Sequence, residues 1–349
     1  MKLVTIGKRE VGAGQPCFVI AEVGVNHDGS LDRALELVEA AAAAGADAVK
    51  FQTFRADRLA TAEAPKAPYQ LAGTDPEESQ LGMLQRLELS PDAHLRLQAA
   101  AEAAGIEFLS SLFDEESADL LDGLGLSAFK IPSGEITNLP LLAHVGRFGR
   151  PVILSTGMAD LDEVRAAVDG LEGAGNDQIV ILHCVSSYPA PPAEANLRAM
   201  ATMGAAFRKP VGFSDHTLGV EVALAAVALG ACAIEKHLTL DRSAPGPDHA
   251  ASLEPSEFRD LVRSIRSVES ALGDGQKVSA PSERATAAVA RKSLVAACLI
   301  AAGTVVTDEM IALSRPGTGL PPAARGLVVG RVARVDIPDG TLLSTELVG

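Results

Sequence analysis

Short apolar runs alternate with longer stretches whose apolar positions recur at helical spacing, from about residue 17 to residue 272. The first run, Cys17 to Val23, reads as a strand. Asp28-Gly29 then makes a turn, Ser30 is an N-cap, and Leu31 to Ala44 is an Ala-rich helix ended by Gly45. Ala46 to Gln52 is the second strand, and the pattern repeats at Ile106–Ser110, Ser127–Ile131, Pro151–Ser155, Gln178–His183, Lys209–Ser214 and Cys232–Glu235. Intervening helices include Asp92–Ala104, Leu161–Leu171, Leu218–Leu229 and Glu254–Leu272. Eight apolar strands joined by helices predict an α/β fold closed as a parallel (β/α)8 barrel, the TIM-barrel architecture. An open doubly wound sheet is the alternative, but no GxGxxG turn supports it.

Two intervals break the repeat. Thr53 to Leu89, between strands two and three, is longer than a barrel connection needs and is expected to shape the site. After the last barrel helix, residues 273–281 are rich in Gly, Ser and Pro, and Ser282 to Arg291 is one further short helix. Domain boundaries follow: a barrel over 1–272, a linker over 273–290 and a small domain over 291–349. In that last domain short apolar runs are separated by AAGTVV, RPGTGLPP and IPDGTLL, so it reads as mostly β with a modest core. Residues 1–16 read as a hairpin before the first core strand.

Composition narrows the class. The chain of 349 residues is 47% hydrophobic and carries a net charge of −15, which speaks against nucleic acid and anionic lipid as partners. Cys17, Cys184, Cys232 and Cys298 show no paired spacing, pointing to a reducing compartment rather than a disulfide framework. The N-terminus lacks the apolar core of a signal peptide, and no apolar run approaches the ~18 residues of a membrane span. A cytoplasmic protein is expected.

The candidate chemistry lies at the C-terminal strand ends, where parallel α/β folds place their sites. In strand order these ends carry Glu22, Asn26 and His27; Lys50 and Gln52; Ser110 and Ser111; Lys130, Ser133 and Glu135. The remaining four carry Ser155 and Thr156; His183, Ser186, Ser187 and Tyr188; Ser214, Asp215 and His216; and Glu235, Lys236 and His237, with Asp248 beyond. Polar residues at all eight ends above apolar strand interiors indicate one convergent site. Lys50 and Lys130 with the neighbouring hydroxyls form a candidate anion pocket, each charged hydrogen bond contributing about 1.5–3 kcal/mol. Alternatively, the lysines snorkel to water. Lys236 points away from Glu235 and His237 by strand alternation and is read as structural. His216 and His237 occupy equivalent places after two strands and are candidates to share a divalent metal. The competing reading has one capping a strand and the other bonding a backbone carbonyl.

With IAEVGVNHDGS (20–30), VKFQTF (49–54), FKIPSGEITNLPLL (129–142), ILSTGM (153–158), LHCVSSYPAP (182–191), GFSDHTLG (212–219), IEKHLTLDRSAPGPDH (234–249) and RPGTGL (315–320) in order, the chain resembles the sialic acid synthase family. Its C-terminal part resembles that family's antifreeze-like SAF domain. The resemblance implies condensation of phosphoenolpyruvate with an N-acylated mannosamine-type sugar, either N-acetylmannosamine or a related 2,4-diacetamido sugar. It implies a divalent metal, usually manganese, on His216 and His237. Phosphoenolpyruvate would be held by Lys50, Ser111, Lys130, Ser133, Ser155, Ser186 and Ser214. A catalytic carboxylate would stand at Glu22, with Gln52, Glu135, Tyr188 and Asp248 on the sugar side. It further implies a domain-swapped homodimer in which Arg315 meets the N-acyl group in the other subunit's site and completes its catalytic set. Ser111 stands where a threonine is common, and Ser186 where asparagine occurs in sialate synthases. The segment ESQLGMLQRLELS (78–90) is more similar to legionaminate-type synthases. Two rival functions are a Schiff-base barrel aldolase using Lys50, Lys130 or Lys236, and a non-enzymatic carbohydrate-binding protein built around the C-terminal domain.

Overall fold

The computed structural model describes residues 2–349. The chain divides into two compact units, Met1–Gly273 and Asp274–Gly349. In the first, β1 (Val4–Ile6) and β2 (Arg9–Val11) form an antiparallel hairpin. The sequence then alternates β3 (Phe18–Gly24), α1 (Leu31–Ala44), β4 (Ala48–Thr53), α2 (Ala56–Leu59), α3 (Pro68–Gly73), α4 (Gln80–Leu87), α5 (Pro91–Ala104) and β5 (Glu107–Leu112). It continues with α6 (Glu115–Gly123), β6 (Phe129–Ile131), α7 (Leu139–Gly146), β7 (Val152–Ser155), α8 (Leu161–Gly173), β8 (Ile179–Cys184) and α9 (Ala199–Phe207). β9 (Val211–Asp215), α10 (Glu221–Ala228), β10 (Ala233–His237) and α11 (Pro255–Leu272) complete the unit. Strands β3 to β10 close into one parallel barrel, β10 pairing with β3. The (β/α)8 expectation is met. The helix read over Leu218–Leu229 is shorter, covering Glu221–Ala228.

Local chemistry explains the regularity. α1 starts at Ser30, whose hydroxyl accepts from Arg33 N–H, and stops at Gly45, whose φ of 86° is left-handed and turns its N–H back to Ala41 and Ala42. α5 repeats the device with Ser90, Pro91 at its first position and Gly105 at φ 77°. On α1 the buried positions Ala34, Leu37, Val38, Ala41 and Ala44 form one stripe against the barrel.

Strand alternation sorts the barrel side chains into two sets. Val19, Ala21, Val23, Val49 and Phe51 face the helix layer, while Phe18, Ile20, Ala48, Leu109, Ile153, Val180, Leu182 and Ala233 pack inside with Val4, Ile6 and Val11 of the hairpin. The hairpin therefore joins an apolar plug at the N-terminal end of the barrel. Polar side chains begin above that plug.

The second unit contains α12 (Glu283–Ala290), β11 (Ser293–Ala296) and β12 (Ile311–Ser314), the two strands pairing antiparallel. Its core gathers Leu294, Ile300, Val306, Val328, Ile337 and Leu343. α12 lies within the stretch read as a linker, and its Ala288 and Ala290 carbonyls accept from Gly317 N–H and Arg315 Nε. Among the described residues no helix is long and apolar enough to cross a membrane.

Candidate active site

Within the strands, the end residues fall into two groups of opposite parity. Those two and four positions beyond the interior apolar residues line one cavity of about 440 Å³ at the C-terminal end of the barrel. It is walled by Glu22, Lys50, Gln52, Ser111, Lys130, Ser133, Ser155, Ser186, Tyr188, Ser214, His216, Glu235, His237 and Asp248. The others lie outside the cavity and bond neighbouring side chains and backbone, with Asn26 Oδ1 and His27 Nε2 left buried without partners. Thr53 Oγ1 bonds His94 Nε2 and Ser110 Oγ, both at 2.7 Å. Lys236 Nζ donates to Asp215 Oδ2 at 2.8 Å and to the Thr217 carbonyl. Thr156 donates to the Leu182 carbonyl and His183 Nε2 to that of Ala195. Asn26 donates to Leu238 O and Ser252 Oγ, and the buried His27 accepts from Gly29 N–H. The structural reading of Lys236 is therefore met, and every one of the eight strand ends contributes at least one side chain to the single convergent site.

At the floor two lysines and two carboxylates interleave. Lys50 Nζ lies 2.6 Å from Glu22 Oε2, 3.7 Å from Glu235 Oε2 and 2.8 Å from Ser111 Oγ. Lys130 Nζ donates to Ser155 Oγ at 2.6 Å and lies 3.6 Å from Glu235 Oε1. Ser214 donates to Glu235 Oε1 at 2.9 Å. All four charges are buried. Burial and the neighbouring Glu235 raise the Glu22 carboxyl to about 7 against the opposing pull of Lys50. Burial acts the same way on Glu235, but Lys130, Lys50 and the Ser214 hydroxyl outweigh it and hold it ionised. Burial depresses both lysines; the two carboxylates around Lys50 reverse this, whereas Lys130, with one close carboxylate and a neighbouring cation, stays lowered. The pocket is thus not simply basic: Glu235 is a resident counter-ion. Strand alternation from His237 back to Glu235 carries the signal for that residue, which the sequence reading left unassigned to a role.

Gly157 brings the backbone close on one side. Its N–H donates to Ser133 Oγ at 3.0 Å, and a Cβ there would lie 2.2 Å from Ser186 Oγ. Glu135 takes a different course. It follows Ser133 in a 3-10 turn rather than a strand, so the two side chains are not on one face, and its carboxylate accepts from Asn138 Nδ2 at 2.8 Å. Glu135 does not line the cavity. Arg315 belongs to the second unit, where it borders a separate hollow with Val295, Pro316 and Leu342.

The two imidazoles sit together, ring centres 5.5 Å apart, with the Tyr188 ring 4.2 Å from His216. His216 Nδ1–H donates to the Val185 carbonyl at 2.7 Å, which leaves Nε2 with a lone pair. His237 Nδ1 is buried without a hydrogen-bond partner. Burial lowers His216 to about 4; burial, His216 and Lys50 hold His237 well below its ordinary value. Two neutral imidazoles, one with an orphaned nitrogen, suit a divalent metal. Among the described residues no group of three or more His, Cys, Asp or Glu side chains forms a fuller ligand set. Asp248, raised to about 6 by burial, lines the same cavity near the Tyr69 phenol.

The segment between β4 and α5 forms the outer wall with Leu59, Tyr69, Gln70, Gln80, Met83, Leu84 and Leu87. The sequence expectation that this insert shapes the site is met, although it gave these residues no individual roles. A cavity of about 470 Å³ at the opposite barrel end is lined by Lys8, Arg9, Asp47, Glu102 and Glu107. There Arg9 already pairs with Asp47, and no set of hydroxyls or imidazoles converges.

Comparison with known proteins agrees with this geometry. Residues 37–277 match the NeuB family and residues 291–348 match the SAF domain. The N,N'-diacetyllegionaminic acid synthase of Legionella pneumophila is 46% identical over 344 residues, covering 97% of each chain. The N-acetylneuraminate-9-phosphate synthase of Homo sapiens is 37% identical over 346 residues, covering 97% of this chain and 95% of that one. The crystal structure of the N-acetylneuraminic acid synthetase from Leptospira borgpetersenii superposes with a TM-score of 0.73 at 34% identity, covering 82% of this chain and 95% of that one. The barrel, the matched segments and this level of identity over nearly the whole length place the chain in the NeuB family, with a SAF domain at residues 291–348.

Proposed function

We propose that the barrel cavity joins phosphoenolpyruvate to an N-acylated amino sugar, N-acetylmannosamine or a related 2,4-diacetamido sugar, and releases phosphate. The observation that carries this reading is the juxtaposition of a buried lysine–hydroxyl floor with a pair of neutral imidazoles in one cavity of a NeuB-family chain. Kinship to a synthase named for a diacetylated product favours an acceptor with two acylamino groups.

Lys50, Lys130 and the Ser111, Ser155 and Ser214 hydroxyls supply donors for the carboxylate and phosphate of the enol. C3 of phosphoenolpyruvate bonds to the aldehyde carbon, and the aldehyde oxygen gains a proton to become a hydroxyl. Water adds at C2, and phosphate leaves with the bridging oxygen by C–O cleavage, leaving a 2-keto acid. His216 Nε2 and His237 would hold a divalent metal, manganese by the resemblance, which supplies Lewis acidity toward the aldehyde. Glu22, titrating near neutrality beside Lys50, steadies positive charge developing at C2 or takes a proton from the attacking water. The test is phosphate release with phosphoenolpyruvate against a panel of 2-acetamido and 2,4-diacetamido sugars. Release that requires both substrates supports the reading; no release with any acceptor overturns it.

Lys130→Met should raise the KM for phosphoenolpyruvate about ten- to a hundredfold and leave the KM for sugar nearly unchanged, because one charged contact is lost. Equal weakening of both substrates in steady-state kinetics would contradict the assignment. The lowered Lys130 favours, as a second reading, an imine-forming amine. Borohydride with substrate would trap an adduct on Lys130 if that reading held, and none is expected. Lys236 is no candidate for an imine, since Asp215 and the Thr217 carbonyl occupy its ammonium.

The homodimer implied by the resemblance belongs to this proposal. Arg315 uses only its Nε–H within the described residues, on the Ala290 carbonyl, which leaves guanidinium hydrogens for a ligand. An inactive His237→Ala chain mixed with an inactive Arg315→Ala chain should recover activity once subunits exchange. Mixtures that stay inactive after confirmed exchange would remove Arg315 from the partner's site.

A further inference from the structure

The insert that walls the cavity carries chemistry that the phosphoenolpyruvate half of the reaction does not use. We propose that it is the subsite for the acylamino group remote from the aldehyde, with Gln70 and Gln80 as amide partners and Leu59, Met83 and Leu84 as the apolar wall. This rests on the reading that the acceptor is a diacylated amino sugar.

An acylamino group presents one N–H donor, one carbonyl acceptor and an apolar acyl end. The two glutamines match the polar part. Gln70 Oε1 accepts from the Ala67 N–H at 2.9 Å, which settles the orientation of that side chain. The same oxygen accepts from Gln80 Nε2 at 3.3 Å, which settles the second. Gln80 Oε1 is then an acceptor without a hydrogen-bond donor among the described residues, while Gln70 Nε2 offers hydrogens. Neither hydrogen is taken by an acceptor among the described residues. The pair therefore offers one acceptor and one donor to a secondary amide, and both residues line the cavity. Leu59, Leu84 and the buried Met83 border the same cavity and pack in an apolar cluster separate from the barrel core. An acyl methyl placed there leaves water for an apolar surface.

The wall is held in place before any ligand arrives. Lys66 Nζ is buried and donates to Thr74 Oγ1 at 3.0 Å, the Asp75 carbonyl at 2.8 Å and Glu78 Oε2 at 3.2 Å. Thr74 Oγ1 donates to the Gln70 carbonyl at 2.6 Å, and Gly246 N–H to the Gly73 carbonyl at 2.9 Å. Such pre-ordering reduces the entropy lost on binding. Distance from the reacting carbon selects which substituent is met. The Tyr188 ring centre lies 4.2 Å from that of His216 and the Tyr69 ring centre 4.8 Å from that of Tyr188, both pairs tilted, so Tyr69, next to Gln70 in the chain, is the second ring out from His216. With the aldehyde at the imidazoles, a substituent on the adjacent carbon stays beside Tyr188. A substituent on the carbon two bonds farther along the sugar is directed toward the glutamines.

The test compares the intact protein with Gln80→Leu, and with Met83→Gln as an independent variant that leaves the amide pair untouched. Titration calorimetry measures affinity for a 2,4-diacetamido and a 2-acetamido hexose, and phosphate release measures kcat/KM for each. The intact protein should prefer the diacetamido sugar, and each variant should cut that preference about tenfold or more with the KM for phosphoenolpyruvate unchanged. No preference in the intact protein, or an equal loss on both sugars, overturns the subsite. If the binding preference behaves as expected but no phosphate is released, the proposed reaction fails and the subsite stands. If neither sugar binds the intact protein, both are overturned.

Discussion

His216→Ala and His237→Ala should each bring turnover to background while the protein remains folded. Both rings border the cavity, and His237 Nδ1 has no partner to lose, so circular dichroism and urea midpoints should stay close to those of the intact protein. Only two imidazoles are available in the proposed metal set, and no third ligand compensates among the described residues. Removing one should abolish detectable manganese binding by calorimetry as well as activity. Chelator should arrest the intact protein reversibly. Full activity in excess chelator, with no metal found in the protein, would overturn the assignment.

Glu22→Gln should lower kcat by about a hundredfold or more with both KM values little changed, since the side-chain shape is kept and the charge is removed. The pH profile gives the sign. Burial and Glu235 raise the Glu22 carboxyl to about 7, so the carboxylate prevails above that pH and is lost below it. If the carboxylate is the working form, the rate should fall about tenfold per pH unit on the acid side and level off on the basic side. In Glu22→Gln that limb should be absent. Near-normal turnover, or an unchanged acid limb, would assign Glu22 a structural role. Loss of Lys50 should move the limb upward, because Lys50 is the main influence holding Glu22 down.

Much of this site was legible in the chain because strand ends and strand parity are both local properties. Lys236 shows parity applied well: it points out of the barrel and pairs with Asp215. The same rule, carried from His237 to Glu235, identifies the counter-ion of the two lysines. Parity stops where the strand stops. Glu135 lies in a 3-10 turn, so its spacing from Ser133 no longer sets the direction of its side chain. Ser110, Thr156 and His183 look like site residues in the sequence, yet their partners are a hydroxyl on the next strand and carbonyls that only the closed barrel supplies. The insert was recognisable from its length. Its working parts depend on α3 and α4 meeting through Gln70 and Gln80, a tertiary contact across ten residues that no periodicity encodes.

The proposed reaction is tested most directly by the mass of the phosphate released from phosphoenolpyruvate labelled with heavy oxygen at the bridge, in the presence of a 2,4-diacetamido sugar and manganese. The expected result is phosphate equal in amount to the 2-keto acid product and carrying the heavy oxygen. No phosphate release, or release with the heavy oxygen retained in the product, would contradict it.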